Sequence, residues 1–210
     1  MREFLEIESG EYREKIRFVQ LHREDLNALS LTEYVVVMDA YAEALFEMGR
    51  FNTHLGIADH LIELAIMHNV KHVSGRDLYF ETLFQKAASL YNLDRIDDAI
   101  HILKELLKMD PINDSCRLFL INCYVRQKAN TLQTVRKISL VAILVSAVII
   151  AIELILFRPF FQEFVPVVEV IRNALFLSGA GLLVFGELIV RYRAVSKMYK
   201  VVAAAEKQRS

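Results

Sequence analysis

Two glutamates lie inside long apolar stretches, and their carboxylates are the groups of this sequence best placed to do chemistry. Glu153 lies in residues 138–157, where two serines are the only other polar side chains. Glu187 lies in a second apolar stretch, residues 174–190. A carboxylate inside a membrane is unfavourable by about 2.5–3.5 kcal/mol on insertion scales, so a glutamate at such a position is a functional-site hypothesis by default.

The chemistry of Glu153 has three possible interpretations. It could be a structural polar contact within a helical hairpin or with a partner subunit, a protonated acid that the apolar stretch tolerates, or a member of an ion path. An ion path needs polar groups at successive depths, whereas the neighbours of Glu153 are Ile, Ala and Leu. We therefore favour the structural contact.

Both apolar stretches are long enough to cross a membrane. At about 1.5 Å of rise per residue, a helix over residues 138–157 spans the roughly 30 Å of hydrocarbon. The second stretch reaches this length when it is extended to about residues 172–191. With the short connection of residues 158–173, the two stretches predict a transmembrane helical hairpin within residues 131–192.

The two glutamates are expected to lie at different depths in this hairpin. Each lies about 8 Å from the centre of its span, by helix rise, and the antiparallel helices place them on opposite sides of the midplane. Glu187 is expected to pair with Arg191, four residues later. Glu153 has two candidate partners, Arg158 and Arg172.

Small residues recur along both spans at a spacing of four. Such residues let helix backbones approach closely. They could pack the hairpin on itself or form a face for another membrane subunit. The residues are Ala147, Ala151, Ala174 and Ser178, followed by Gly179, Gly181 and Gly186.

Other catalytic and metal-binding signatures are absent from the sequence. It contains no Gly-rich phosphate loop, HExxH, CxxC or GxSxG motif. His68 and His72 have the spacing of two ligands on a helix, but no carboxylate or cysteine is close in sequence. His54, His60 and His101 are expected to be exposed or partly packed. We expect no enzymatic activity, no cofactor and no metal site.

The charges divide the chain. Residues 1–130 contain 15 basic and 21 acidic side chains, whereas residues 131–210 contain 10 and 5. An acidic front domain argues against a nucleic acid partner, since phosphate binding needs a basic face. Basic residues precede the first span and follow the second. They continue into residues 193–210, which are expected to form a short basic tail. The positive-inside rule therefore predicts cytoplasmic N- and C-termini.

Helical periodicity dominates residues 1–130, which are expected to form an all-α domain of helical hairpins. A capping box from Ser30 to Glu33 introduces one helix, and Gly49 ends it. Further helices are predicted at residues 53–68, 78–92 and 96–109. Cys116 and Cys123 lie too far apart on one helix for a disulfide and are expected to be core thiols.

Residues 83–111, with the sequence LFQKAASLYNLDRIDDAIHILKELLKMDP, resemble a tetratricopeptide repeat. Ala87 and Ala99 fall on the small positions of the two helices, and Pro111 ends the repeat. Residues 34–51 resemble the first helix of an earlier repeat, and residues 114–130 that of a later one. The second helix of the later repeat is missing, and we expect the base of the first span to take its place.

The resemblance implies a concave surface, lined by the first helix of each repeat, that binds a peptide or helix of a partner protein. It implies that the following residues face this surface: Asp39, Glu43, Phe84, Ser89, Asn122 and Arg126. The sequence thus predicts a membrane-anchored adaptor or scaffold that binds a partner at the cytoplasmic membrane face. The alternative is an accessory subunit of a transport or ion-driven motor complex, in which the hairpin is the recognition element.

Overall fold

A computed structural model describes Phe4, Ile7 and residues 10–26, 28–157 and 165–209. These residues form two compact units. The first contains the described residues up to Cys123 together with those from Val201 onward, and the second runs from Tyr124 to Lys200. Helices account for most of both units, which confirms the all-α prediction.

The first unit consists of helices joined by short turns. Their bounds are Tyr12–Leu21 (α1), Arg23–Leu26 (α2), Leu31–Glu47 (α3), Phe51–Met67 (α4), Leu78–Asn92 (α5) and Ile96–Met109 (α6). A further helix, α7, spans Asp114–Gln127 and continues past the boundary between the units. The bounds of α5 and α6 are those predicted from the sequence.

The helix ends form for local reasons. Ser30 and Glu33 make the predicted capping box, in which Ser30 Oγ accepts from the Glu33 amide at 3.4 Å and Glu33 Oε2 accepts from the Ser30 amide at 3.2 Å. This bonding to Ser30 lowers the pKa of Glu33. Gly49, with φ of +69°, ends the α3 segment as predicted, because this left-handed conformation favours glycine.

Small side chains lie where helices of the first unit cross. The pairs α3–α4, α4–α5 and α5–α6 pack side by side, and α1 packs against α3. Five alanines in these helices are at most 2% exposed, so the helix backbones approach closely: Ala42, Ala44, Ala58, Ala87 and Ala99. Larger side chains, including Leu45, Leu61 and Leu103, fill the surrounding interior.

A small β-hairpin interrupts the helices between α4 and α5. Strands β1 (His72–Val73) and β2 (Arg76–Asp77) are antiparallel. Ser74 and Gly75 form the turn with φ values of +51° and +79°, as a tight two-residue hairpin turn requires. Asp77 then caps α5 by accepting a 2.9 Å hydrogen bond from the Phe80 amide.

The second unit contains the two helices that are long and apolar enough to cross a membrane. The first, α8, spans Ala129–Ile152 and continues as a π-helical turn, Glu153–Phe157. The second, α9, spans Val165–Arg209. The candidate spans are Thr131–Ile155 and Pro166–Lys207, and only 17% and 6% of their most apolar windows are buried.

One expectation about the C-terminal end of the chain needs correction. The expected basic tail is not a separate element, because α9 continues unbroken through residues 193–209. Its last turns carry a buried stripe at helical spacing: Ala194, Met198, Val202 and Ala205. The described residues from Val201 onward are grouped with the first unit, and Val202 and Ala205 are buried there, whereas the base of α8 is grouped with the second unit.

Candidate functional site

The two helices of the second unit meet through glycine and serine. A Cβ on Gly179 would lie 3.1 Å from both Ser139 O and Ile143 Cγ1, and one on Gly186 would lie 3.1 Å from Val135 Cγ1. Ser139 is fully buried, and its hydroxyl donates to Val135 O at 2.9 Å. The backbones of α8 and α9 thus approach closely at these two glycines.

The other small residues do not make this contact. Ala147 and Ala151 on α8, and Ala174 and Ser178 on α9, are exposed in the described chain, and the space around Gly181 is open. The interpretation that these residues pack the hairpin on itself is therefore wrong. Their use as a face for another subunit stays a prediction.

Glu153 is 1% exposed and pairs across the hairpin with Arg172. The guanidinium Nη1 of Arg172 donates to Glu153 Oε2 at 2.6 Å. Ser146 strengthens the same junction by donating from Oγ to the Arg172 carbonyl at 3.3 Å. The other candidate partner, Arg158, lies outside the described residues. The arrangement matches the structural-contact interpretation of Glu153, since an opposite charge and a hydrogen bond offset the burial of a carboxylate.

Glu187 also pairs across the hairpin. Arg136 Nη2 lies 3.1 Å from Glu187 Oε2, whereas Arg191 Nε lies 4.0 Å from Glu187 Oε1. The predicted partner Arg191 is thus the more distant of the two. Sequence reasoning missed Arg136, although pairing the two spans in antiparallel register brings it level with Glu187.

An apolar cleft lies beside the Glu153 end of the hairpin. Its volume is about 280 Å³, and its walls are Ile149, Ile152, Val168 and Ile171. Among the described residues, no polar atom contributes to this wall, so these residues offer nothing that could replace the hydration shell of an ion.

In the first unit, Asp39 and Glu43 of α3 lie near a third acid, Glu81. Asp39 Oδ2 accepts a 3.0 Å hydrogen bond from Arg76 Nη2 of strand β2. Burial raises the pKa of Asp39, and the Arg76 charge lowers it in opposition. Glu43 and Glu81 add smaller effects that raise it. The predicted pair Asp39 and Glu43 thus belongs to an acidic surface that Arg76 partly neutralises.

Aromatic contacts join the first helices of two neighbouring hairpins. Phe84 on α5 packs edge to face on Phe119 of α7 at 5.6 Å between ring centroids, and Tyr91 packs on Phe119 at 5.5 Å. Phe84 remains half-buried, while Asn122 and Arg126 on α7 are exposed. These three predicted residues are accessible, in whole or in part, to a partner.

Ser89 is not accessible, and its prediction as a partner-binding residue is wrong. Its side chain is 0% exposed, and its hydroxyl lies 2.9 Å from Nδ1 of His54, which is also 0% exposed. His54 was expected to be exposed or partly packed. The reason for the difference is that α4 and α5 pack directly, so that His54 finds a polar partner on the facing helix instead of water.

Burial lowers the pKa of His54, and the Gln85 side chain has a smaller, opposing effect. The imidazole is therefore held in its neutral form. Because both His54 and Ser89 are fully buried, the pair stabilises the packing of α4 against α5 and cannot reach a substrate.

The two histidines considered as metal ligands lie on different elements, and the two cysteines are buried. His68 follows the end of α4 and His72 lies in β1, so they do not share a helix. Among the described residues, no group of three or more His, Cys, Asp or Glu side chains could hold a metal ion. Cys116 and Cys123 are buried free thiols, as expected, and burial raises the pKa of each to about 12.

Comparisons of this chain with protein-family models, with curated proteins and with solved structures found no match.

Proposed function

We propose that this chain is a membrane-anchored adaptor in which the helical hairpins of the first unit bind a partner protein. The observation that carries the proposal is the inverted polarity of the α8–α9 pair. Its interior holds Ser139, Ser146 and the Glu153–Arg172 ion pair. Its outer surface carries exposed large apolar side chains, among them Leu140, Leu144, Val148, Leu177 and Phe185. Lipid is the solvent that favours this arrangement.

The binding role rests on the tetratricopeptide-like organisation of the first unit. Ala87 and Ala99 are fully buried at the positions where the repeat pattern needs small residues. The α5–α6 turn repeats the α3–α4 turn, with Arg95 N donating to Leu90 O and Arg50 N to Leu45 O, both at 2.8 Å. Arrays of such hairpins offer extended surfaces that bind partner proteins.

The binding surface that we propose comprises the accessible predicted residues on α3, α5 and α7. These are Asp39, Glu43, Phe84 and Asn122, which all belong to the first unit. The adaptor acts by holding its partner at the membrane and raising its local concentration, without bond chemistry.

We further propose that both termini are cytoplasmic. Arg136 and Lys137 near the start of α8, and Arg191 and Arg193 on α9, lie towards the same end of the antiparallel pair, where the positive-inside rule places the cytoplasm. Cysteines introduced at Gly10 and at Lys200 should resist a membrane-impermeant maleimide in intact cells and react after permeabilisation. Labelling of either site in intact cells would contradict this orientation.

The test of the adaptor is recovery of partners by crosslinking in native membrane and mass spectrometry. Asn122→Arg and Glu43→Lys change exposed or half-exposed side chains on the proposed surface, so they should each reduce recovery of the same protein. Lys104→Glu on α6 serves as a control outside the proposed surface, with a charge change equal in size and opposite in sign to that of Glu43→Lys. Equal recovery by all variants would reject the proposed surface.

The alternative, an accessory subunit of a transport or motor complex, is favoured by the exposed Ala147 and Ala151 on α8. Such residues suit close packing against another membrane helix. Replacing the hairpin with an unrelated two-span anchor distinguishes the two functions. An adaptor keeps its partner after the exchange, whereas an accessory subunit that is recognised through the hairpin loses it.

A further inference from the structure

A second surface of the first unit, separate from the proposed partner surface, carries three arginines around one depression. Arg13 and Arg17 of α1 and Arg50 from the turn before α4 line it, together with Gln20, Ile16 and Met48. Its volume is about 370 Å³, within the usual range for small-molecule sites.

The fold places the three arginines around the same depression. Arg13 and Arg17 are four residues apart and share one face of α1, which packs against α3. Gly49 takes a φ of +69° after α3, and this turn brings Arg50 to the same depression. Residues that are far apart in sequence, 13 and 50, thus line one site.

In the described part of the chain, no acidic side chain forms an ion pair with the arginines of this depression. None of the three arginines has an ion pair or hydrogen bond with a side chain in the part of the chain that the structure describes. Two nearby acids, Glu11 and Glu14, line adjoining depressions and do not line this one. The site therefore presents three guanidinium groups that form no ion pair with the described residues, together with the side-chain amide of Gln20.

From this arrangement we propose that the depression binds a small phosphate monoester. A phosphoryl dianion offers three strong acceptor oxygens, and guanidinium groups bind such oxygens in pairs. A carboxylate offers two oxygens and one charge, which matches three arginines less well. Ile16 is 4% exposed and Met48 half-buried, so the remaining volume has an apolar wall for the organic part of the ligand.

Isothermal titration of the full chain in neutral detergent, at low ionic strength, tests the proposal. The probes are phenyl phosphate, inorganic phosphate and phenylacetate. Phenyl phosphate should bind most tightly, because it satisfies both the arginines and the apolar wall, and added salt should weaken it. Equal affinity for phenylacetate, or no heat from phenyl phosphate, would overturn the proposal.

Variants assign the binding to the site. Arg17→Gln and Arg50→Gln should each weaken phenyl phosphate binding about tenfold, through loss of a charge-assisted hydrogen bond. Arg23→Gln makes the same charge change on α2, outside the depression, and should leave the affinity within about twofold. Far-UV circular dichroism verifies that the variants are folded. Equal weakening by Arg23→Gln would show that only net charge matters and would reject the site.

A lipid headgroup could also supply a phosphate monoester. Binding to lipid vesicles distinguishes a lipid from a soluble ligand. Phosphatidic acid vesicles should bind Arg50→Gln as well as the unchanged chain in flotation, because a soluble monoester is the proposed ligand. Flotation that depends on Arg50, together with no heat from phenyl phosphate, would overturn the proposal in favour of a lipid. None of these outcomes bears on the partner surface of α3, α5 and α7.

Discussion

Glu153 on α8 and Arg172 on α9 form a 2.6 Å ion pair at one end of the hairpin, and a second pair lies towards its other end with the charges exchanged. There Arg136 is on α8 and Glu187 on α9, at 3.1 Å. Each helix thus contributes one acid and one base. A slip of one helix past the other by a turn would break both pairs, so together they fix the antiparallel register.

Arg172→Gln should destabilise the hairpin by about 3 kcal/mol, because it removes the 2.6 Å ion pair that Arg172 makes with the buried Glu153. Glu153→Gln together with Arg172→Gln should recover most of this loss. The free energy can be measured by detergent-induced separation of the helices, followed by energy transfer between dyes on cysteines introduced at Gln133 and Tyr192.

The control for this double-mutant cycle is Arg193→Gln, which removes a charge from α9 away from the Glu153 pair. It should change the free energy of separation by less than about 0.5 kcal/mol. A double variant as unstable as Arg172→Gln alone would show that the two side chains do not act as a pair.

Gly179→Ala should separate the two helices, because its Cβ would lie 3.1 Å from the backbone oxygen of Ser139. We expect a loss of about 1–3 kcal/mol in the same separation assay. Gly181→Ala is the matched control, since its Cβ would meet nothing within 4 Å. Equal effects of the two substitutions would contradict the close contact at Gly179.

His54 should make the first unit less stable at mildly acidic pH. Its pKa is lowered by folding, so the unfolded chain binds the proton first as the pH falls below about 6.5. The first unit therefore loses stability as the pH falls below this value, and the loss ends once the pH is below the pKa of His54 in the folded chain. Asp39, whose pKa is raised, acts in the opposite sense, so a variant is needed to isolate the histidine.

That comparison is the urea midpoint of helix loss, measured by circular dichroism at pH 5.5 and 7.5. His54→Gln should show a smaller acid-induced decrease than the unchanged chain. His101→Gln, on the exposed face of α6, should retain the full decrease. If the two variants behave alike, the buried imidazole is not the group responsible.

Ser89→Ala should destabilise the first unit by about 1–3 kcal/mol, because His54 Nδ1 would remain buried without its 2.9 Å partner. The measurement is the same urea unfolding at pH 7.5. Ser115→Ala, at an exposed position of α7, is the control and should change little. A loss below about 0.5 kcal/mol for Ser89→Ala would contradict the role assigned to the buried pair.

Cys116 and Cys123 should not react with maleimide at pH 8 while the chain is folded. Burial raises the pKa of both thiols to about 12, so the reactive thiolate is scarce, and neither sulfur is accessible. A cysteine introduced at the exposed Ser115 of α7 should react readily. Labelling of the native cysteines as fast as this one would contradict the packing of α7.

Much of the helical organisation is local and could therefore be predicted from the sequence. The capping box at Ser30 and the bounds of α5 and α6 depend on residues within one or two turns of each other. The apolar stretches around Glu153 and Glu187 depend only on composition and length. The buried stripe that ends with Val202 and Ala205 also has a local signal, its spacing, although basic residues surround it and by themselves predict an exposed tail.

The candidate sites were less predictable, because they depend on which faces of distant helices meet. The sequence left Glu153 with two possible partners, and it did not show that Arg136 approaches Glu187 more closely than Arg191 does. It placed Ser89 on a binding surface, although the residue lies 2.9 Å from His54 in the interior. It gave no sign that Arg50 joins Arg13 and Arg17.

The sequence by itself determined the helices, their caps and the two stretches long and apolar enough for a membrane, because backbone hydrogen bonding and apolar periodicity act over a few residues. Only the tertiary structure decided the ion-pair partners, the buried His54–Ser89 contact and the arginine depression. These features depend on the rotation and register of packed helices. Contacts between residues far apart in the chain set both, as at the close approach of Gly179 to the backbone of Ser139.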